Sequence, residues 1–217
     1  QVFSNIGTWD WDTSTNKIHW SECISKLFGY KETLLETTYQ NYLSSLHPDD
    51  LQNVEKSING CIEKGLAYNS EHRIIWPDGS IHWMHERGDV VRNADGQPMH
   101  MLGVVQDITE RVTAEFAYRE SEEKYRLQFE FSEEPMWLIV GDKFVMANKA
   151  AAKVLGYETI DSLLNTHPSK LSPEFQPDEM SSYEKANSMM EIANRKGYHR
   201  FEWVHKKSNE EEFPVDV

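Results

Sequence analysis

Histidines and cysteines are where chemistry is sought first in this chain, which holds nine of the former and two of the latter. The run His82-Trp83-Met84-His85-Glu86 has the residue types of a zinc-protease motif without its spacing. That motif needs two histidines one helical turn apart. On a strand, His82 and His85 point to opposite faces and cannot share a metal. His72 and His82 do share a face in the register derived below, where they could hold a ligand carboxylate or a metal. The other reading is a pair of hydrogen-bonded core histidines. His205 has the same two readings in the second half. Cys23 and Cys61 cannot make a disulfide framework or a four-cysteine zinc site, and both are expected to be buried free thiols. No Gly-rich loop ends in Lys-Ser/Thr, and no Gly-x-Ser-x-Gly elbow occurs. The acidic residues are scattered and give no acid–base pair. No catalytic residue and no metal site is assigned.

The elements that position these residues belong to a chain of 217 residues, long enough for one large domain or two of ordinary size. Its 22 Lys and Arg face 36 Asp and Glu, a net charge of −14. Neither half is basic, so a nucleic-acid partner is not expected. The hydrophobic share of 39% and aromatic share of 12% are too high for a disordered chain. No run approaches the roughly 18 apolar residues of a membrane span. No signal peptide is read, and a cytoplasmic location is expected. The chain starts at Gln1 and ends at Val217 inside a strand-like run, which reads as an excerpt of a longer protein.

A repeat organises the chain. Ser21 through Gly29-Tyr30 has an N-cap candidate and a helix-stopping Gly, and Asn148 through Gly156-Tyr157 has the same layout. His47-Pro48-Asp49-Asp50 is echoed by His167-Pro168, and His72-Arg73-Ile74 by His199-Arg200-Phe201. Pro48 suits the first helical position, and Asp49 and Asp50 suit the positive helix end. A helix carrying Leu51, Val54, Ile58, Cys61 and Ile62 on one face runs to Gly65. Its counterpart is expected to open near Ser172-Pro173 or Pro177-Asp178 and to stop at Gly197. The ordered matches imply two homologous domains.

Each half ends in a hairpin. Pro77-Asp78-Gly79 is a three-residue loop that pairs Arg73 with Trp83 and Ile75 with Ile81. One face then holds Glu71, Arg73, Ile75, Ile81, Trp83 and His85. The other holds His72, Ile74, Trp76, Ser80, His82 and Met84. Both are half apolar, and both are expected to be covered. In the second hairpin, with loop Ser208-Asn209-Glu210, Phe201, Trp203 and His205 pair with Val217, Val215 and Phe213 as a buried face. Glu202, Lys206, Glu212, Pro214 and Asp216 form a wet face, with Pro214 at an edge or bulge. Between the halves, Ala114, Tyr118, Ser121, Tyr125 and Gln128 recur at four-three spacing, as in a short coiled-coil seam or a solvated connector helix.

These stretches resemble a tandem of PAS domains, the sensory modules of bacterial signalling proteins, the first with a C-terminal PAC motif. The resemblance is carried by Gly7 through Asp12, Trp20 through Tyr30, His47 through Asp50, Arg73 through Trp83 and Gly103 through Thr109. Ser121 through Arg126, Asn148, Gly156-Tyr157 and Glu202 through Lys206 continue it. It implies an α+β fold of two PAS-like domains, each an antiparallel five-stranded sheet with short helices on one face, the second truncated, joined by a linker helix. The expected layout is residues 1–112 for the first domain, 113–131 for the connector helix, and 132–217 for a second domain lacking its last strand.

The resemblance also implies a pocket. Its candidate lining is His72, Ile74, Trp76, His82, Met84 and Val105 in the first domain, and Phe201, Trp203 and His205 in the second. Asp107 and Thr109 would couple the last strand to the exit helix. The implied role is non-catalytic sensing of a small molecule or partner, with homodimerisation through the connector helix. A covalently attached output domain outside this chain would be a histidine kinase or a cyclic-di-GMP cyclase or phosphodiesterase. No cofactor is predicted. Neither cysteine resembles the Asn-Cys-Arg run of flavin-adduct members, and the long helices lack the histidine that haem-binding members place there. Other haem or flavin arrangements stay open, as does a purely structural interaction module with filled pockets.

Overall fold

The structure, a computed structural model, describes residues 6–159, 161–162 and 164–217. The chain divides into two compact units, the first reaching to Tyr118 and the second starting at Arg119.

The first unit runs β1 (Ile6–Asp12), β2 (Lys17–Trp20), α1 (Glu22–Leu27), β3 (Glu36–Thr38), α2 (Tyr39–Ser45), α3 (Pro48–Lys64), β4 (Tyr68–Ile75), β5 (Ile81–Arg92) and β6 (Pro98–Asp107). Helix α4 (Thr109–Glu130) follows. The strands form one antiparallel sheet of order β3-β2-β1-β6-β5-β4. Five were expected; the sixth is β3, a three-residue polar edge whose Glu-Thr-Thr carries no alternation to read. The last long strand, β6, lies in the middle of the sheet and joins the β1–β2 and β4–β5 hairpins.

Local chemistry explains the helices. Pro48 opens α3, the His47 ring nitrogen accepts the Asp49 amide at 3.3 Å, and Gly65 closes the helix in the left-handed region at φ 67°. Between them Val54, Ile58 and Cys61 face the core. Gly29 is required twice, by its φ of 75° and because a Cβ there would lie 2.5 Å from the Trp76 ring. Ser21 starts α1 without capping it; its hydroxyl accepts the Thr8 amide instead, at 2.9 Å. Cys61 is buried, but Cys23 is half-exposed, with Sγ 3.2 Å from the Ile6 carbonyl.

The β4–β5 register is the one the three-residue loop dictates, with Arg73 opposite Trp83 and Ile75 opposite Ile81. Only one of its faces is covered. His72, Ile74, Met84 and Glu86 are buried beneath the helices, whereas Ile81 on the outer face is 49% exposed. The expectation of two covered faces is corrected because outer Arg73 and Trp83 shield each other, the guanidinium 5.7 Å from the indole centroid.

The second unit contains β7 (Trp137–Val140), β8 (Lys143–Ala147), α5 (Lys149–Leu155), a 3-10 turn (Pro168–Leu171), α6 (Ser182–Lys196), β9 (Glu202–Lys206) and β10 (Glu212–Asp216). The strands pair as two hairpins, β7–β8 and β9–β10. Among the described residues no strand stands between β7 and β10 as β6 does between β1 and β5. His205 faces Phe213 and Trp203 faces Val215, with Pro214 on the exposed face. Helix α6 opens at Ser182, later than either expected start. Ser172 and Gln176 are spent elsewhere: Ser172 accepts the Trp203 indole N–H at 2.9 Å, and the Gln176 amide binds the Val204 backbone at 2.9 and 3.2 Å. Glu179 then turns the chain at φ 64°.

Candidate functional site

A cavity of about 30 Å³ lies between the inner face of the first sheet and its helices. That is room for two or three waters or one very small ligand. Strand alternation sends Trp9 and Trp11 inward from β1, Ile18 and Trp20 from β2, Tyr68 from β4, Glu86 from β5, and Met101 and Val105 from β6. Helices and loop add Ile24, Phe28, Tyr39, Tyr42 and Ile58. Rings dominate: Trp11 stacks on Tyr39 with centroids 4.5 Å apart, and Trp9 meets Tyr68 edge-on at 6.2 Å. The indole N–H groups of Trp9 and Trp11 are buried and have no hydrogen-bond partner among the described residues.

Glu86 is the one charged group in this lining and is 3% exposed. The Tyr42 and Tyr68 hydroxyls both donate to its Oε2, at 3.0 and 3.1 Å. Burial pushes the Glu86 carboxyl up to about 7, against the two tyrosine hydrogen bonds that favour its ionised form. Burial, and then the nearby Glu86, push both tyrosines well above their ordinary range. His72 Nε2 stands 3.5 Å from the Tyr42 hydroxyl, and burial lowers this imidazole to about 4.

Of the first-domain residues selected from sequence, Val105 lines the cavity. His72, Ile74 and Met84 are buried but do not line it. Trp76 and His82 are elsewhere. They stack on each other at 3.6 Å, and the Trp76 indole donates to the Leu27 carbonyl at 3.0 Å. His72 and His82 share a face but not a site, and no cluster of three potential metal ligands exists among the described residues. Trp9, Trp11, Trp20, Tyr39, Tyr42, Tyr68 and Glu86 were missed. Continuing the alternation past Met84 reaches Glu86, and Gly7-Thr8-Trp9-Asp10-Trp11 alternates in the same way.

The sheet meets α4 at Asp107-Ile108-Thr109. The Asp107 carboxylate accepts the Thr109 amide at 2.8 Å. The Thr109 hydroxyl accepts the Trp83 amide at 2.9 Å, and the Ile108 amide donates to the Trp83 carbonyl at 2.9 Å. Asp107 Oδ2 also stands 3.7 Å from His82 Nδ1. Residues 113–128 of α4 are all exposed, the proposed seam of Ala114, Tyr118, Ser121, Tyr125 and Gln128 included.

In the second unit Phe201, Trp203 and His205 do come together, around a cavity of about 60 Å³ that Trp137, Phe144 and Met190 also line. His205 is 4% exposed. Its Nδ1 lies 3.0 Å from the Leu171 carbonyl, so Nδ1 carries the proton and Nε2 is a bare acceptor. That Nε2 has no partner among the described residues, and burial lowers the imidazole below its ordinary range.

Comparison with known proteins places this geometry. A family profile described as the PAS fold matches residues 17–105, and one described as the PAS domain matches 123–190. Sensor protein FixL of Bradyrhizobium diazoefficiens is 27% identical over 159 residues, 73% of this chain and 31% of that protein. Two-component sensor PprA of Pseudomonas aeruginosa is 30% identical over 113 residues, 52% of this chain and 12% of that protein. The chain thus spans less than a third of these curated relatives. A sensory box histidine kinase/response regulator from Burkholderia thailandensis, solved as a crystal structure, is 32% identical with a TM-score of 0.50, covering 57% of this chain and 92% of that one. With both halves matched in order, the chain belongs to the PAS family, as sensory PAS domains of the kind found in bacterial signalling proteins.

Proposed function

We propose that the chain is the non-catalytic input region of a bacterial signal-transduction protein, with a small molecule received in the first-unit cavity. The observation that carries this reading is the continuity of β6. Val105 lines the cavity and pairs with Glu86, and two residues further on Asp107 binds the first residue of α4. A ligand that binds two arrangements of this strand unequally shifts the population of α4 geometries. Asp107 and Thr109 are the coupling residues, and His205 marks the second-unit pocket. Exposed Tyr118 and Tyr125, one heptad apart, support a homodimer seam along α4. The output domain is a histidine kinase or a cyclic-di-GMP enzyme beyond this chain. The location is cytoplasmic, in keeping with the finding that no helix among the described residues is long and apolar enough to cross a membrane.

A second reading has its own observation. The cavity is small because Trp9 and Trp11 occupy it, and a haem or flavin, which needs several hundred Å³, would have to displace them. On that reading the units are packed interaction modules that set helix phase. Native mass spectrometry of the purified chain, followed by denaturation and a visible spectrum, separates the two. A released small molecule supports the sensor, and a bare dimer supports the interaction module.

A further inference from the structure

The first-unit cavity holds one charged group and nothing of opposite sign. Glu86 is buried, and the two hydroxyls that donate to its Oε2 are both neutral tyrosines. The nearest basic side chain in this network, His72, is kept neutral by burial. The cavity that this carboxyl lines is also lined by Trp9, Trp11, Trp20 and Tyr39. We propose that this cavity binds a small organic cation of the methylammonium class, with Glu86 as counter-ion and the surrounding rings as an aromatic cage. The proposal rests on the sensory reading above and names the chemistry of its ligand.

Three physical arguments support it. A buried carboxylate without a cationic partner is costly, and the usual remedies are a counter-charge or neutralisation. Indole and phenol rings carry negative charge on their faces and attract ammonium groups, most strongly where water is excluded. The volume sets the size. About 30 Å³ admits a methylammonium and not a tetramethylammonium. A protonated Glu86 offers no counter-charge, so binding strengthens as pH rises through about 7. The titratable groups that bond this carboxyl are Tyr42 from α2 and Tyr68 from β4; His72 of β4 stands beyond Tyr42, and Tyr39 of α2 shares the lining; all four stay neutral in that range.

The test is calorimetric and fluorescence titration of the purified chain at pH 8 with methylammonium chloride, against sodium chloride at equal ionic strength. Trp9, Trp11 and Trp20 report on the cavity directly. Saturable binding is expected, with at least tenfold loss in Glu86→Gln, which keeps an oxygen for the tyrosine hydroxyls, and several-fold loss in Tyr39→Leu, which keeps the carboxyl. Equal affinity of wild type and Glu86→Gln overturns the proposal. So does saturation by acetate in place of methylammonium, which would make the unpartnered indole N–H groups the recognition element. So does the absence of saturation by methylammonium. If native mass spectrometry releases another ligand in that last case, the sensory reading stands while the cation falls. If it releases none, both fall.

Discussion

Gly88 and Gly103 face each other across β5 and β6, and the Trp9 indole lies over the pair. Trp9 is itself directly opposite Gly103 on β1, so one row of the sheet reads Trp20, Trp9, Gly103, Gly88, Tyr68. The two glycines form the bare floor on which an indole fits. A Cβ on Gly103 would come within 2.3 Å of both the Trp9 ring and the Arg87 carbonyl. A Cβ on Gly88 would meet the ring at 2.7 Å and the Leu102 carbonyl at 2.8 Å. Gly103→Ala is therefore expected to destabilise the first unit by about 1–3 kcal/mol, and by more than Gly88→Ala. Truncating Trp9 does not rescue Gly103→Ala, because the backbone contact remains. Urea unfolding of the three single variants and the double variant checks the order.

Glu86 and His72 give the first unit two opposed pH dependences. Burial raises the Glu86 carboxyl to about 7, so the folded state binds a proton the unfolded state releases. Its stabilising contribution is full below about 4.5 and is lost as pH rises through about 7, roughly 3 kcal/mol in all. Burial lowers His72 to about 4, so its contribution is present above about 6.5 and is lost as pH falls through about 4. The two slopes cancel in large part between pH 4.5 and 6.5. Glu86→Gln is expected to leave a stability that rises with pH in that window relative to wild type. His72→Gln is expected to leave one that falls. Parallel slopes in the two variants would refute this coupling of burial and charge.

Asp50 and Arg73 tie α3 to β4. The Arg73 guanidinium reaches both Asp50 oxygens at 2.9 and 2.7 Å, and its backbone amide donates to Oδ2 at 2.8 Å. These bonds, the side-chain one foremost, hold the Asp50 carboxyl below its usual range. Its stabilisation is thus present at neutral pH and is lost as pH falls below about 4. Asp50→Asn is expected to cost about 1–3 kcal/mol at pH 7 and less at pH 3. Arg73→Lys keeps the charge but not the fork and is expected to be nearly as costly. Denaturant midpoints at the two pH values decide it.

What was legible in the sequence were features set by neighbours along the chain. Pro77-Asp78-Gly79 and Ser208-Asn209-Glu210 fix both hairpin registers, and Gly65, Gly156 and Gly197 fix three helix ends, because turn chemistry acts over a few residues. The cavity was not legible. Alternation tells which way Trp9 points but not that β6 will stand between β1 and β5, which brings Trp9 and Glu86 to one site. The late start of α6 was hidden for a similar reason. Ser172-Pro173 and Pro177-Asp178 look like helix openers locally, and it is Trp203 and Val204, far along the chain, that claim Ser172 and Gln176.

Asn148 is the N-cap that the repeat assigned it, and its side chain binds beyond the cap. Its Oδ1 accepts the Ala151 amide at 2.9 Å as the N-cap of α5, and also the Met136 amide at 3.0 Å. Its Nδ2 donates to the Phe129 carbonyl at 3.0 Å and to the Glu134 carbonyl at 2.8 Å. With no exposure, the side chain satisfies four backbone groups and ties the last turn of α4 to the start of α5. Asn148→Ala is expected to cost about 3–5 kcal/mol, the loss of a cap plus buried groups left unpaired. Amide exchange at Met136 and Ala151 should rise with it. Asn148→Asp separates the two halves of the role. It keeps the acceptor for both amides but turns an oxygen toward two carbonyls. An ionised Asp there repels them, whereas a protonated one can donate to either. The Asp variant is therefore expected to be more destabilised at pH 8 than at pH 4, and Asn148→Ala to show no such difference. If the Asp variant matches wild type at pH 8, the Nδ2 bonds to Phe129 and Glu134 do not hold the end of α4.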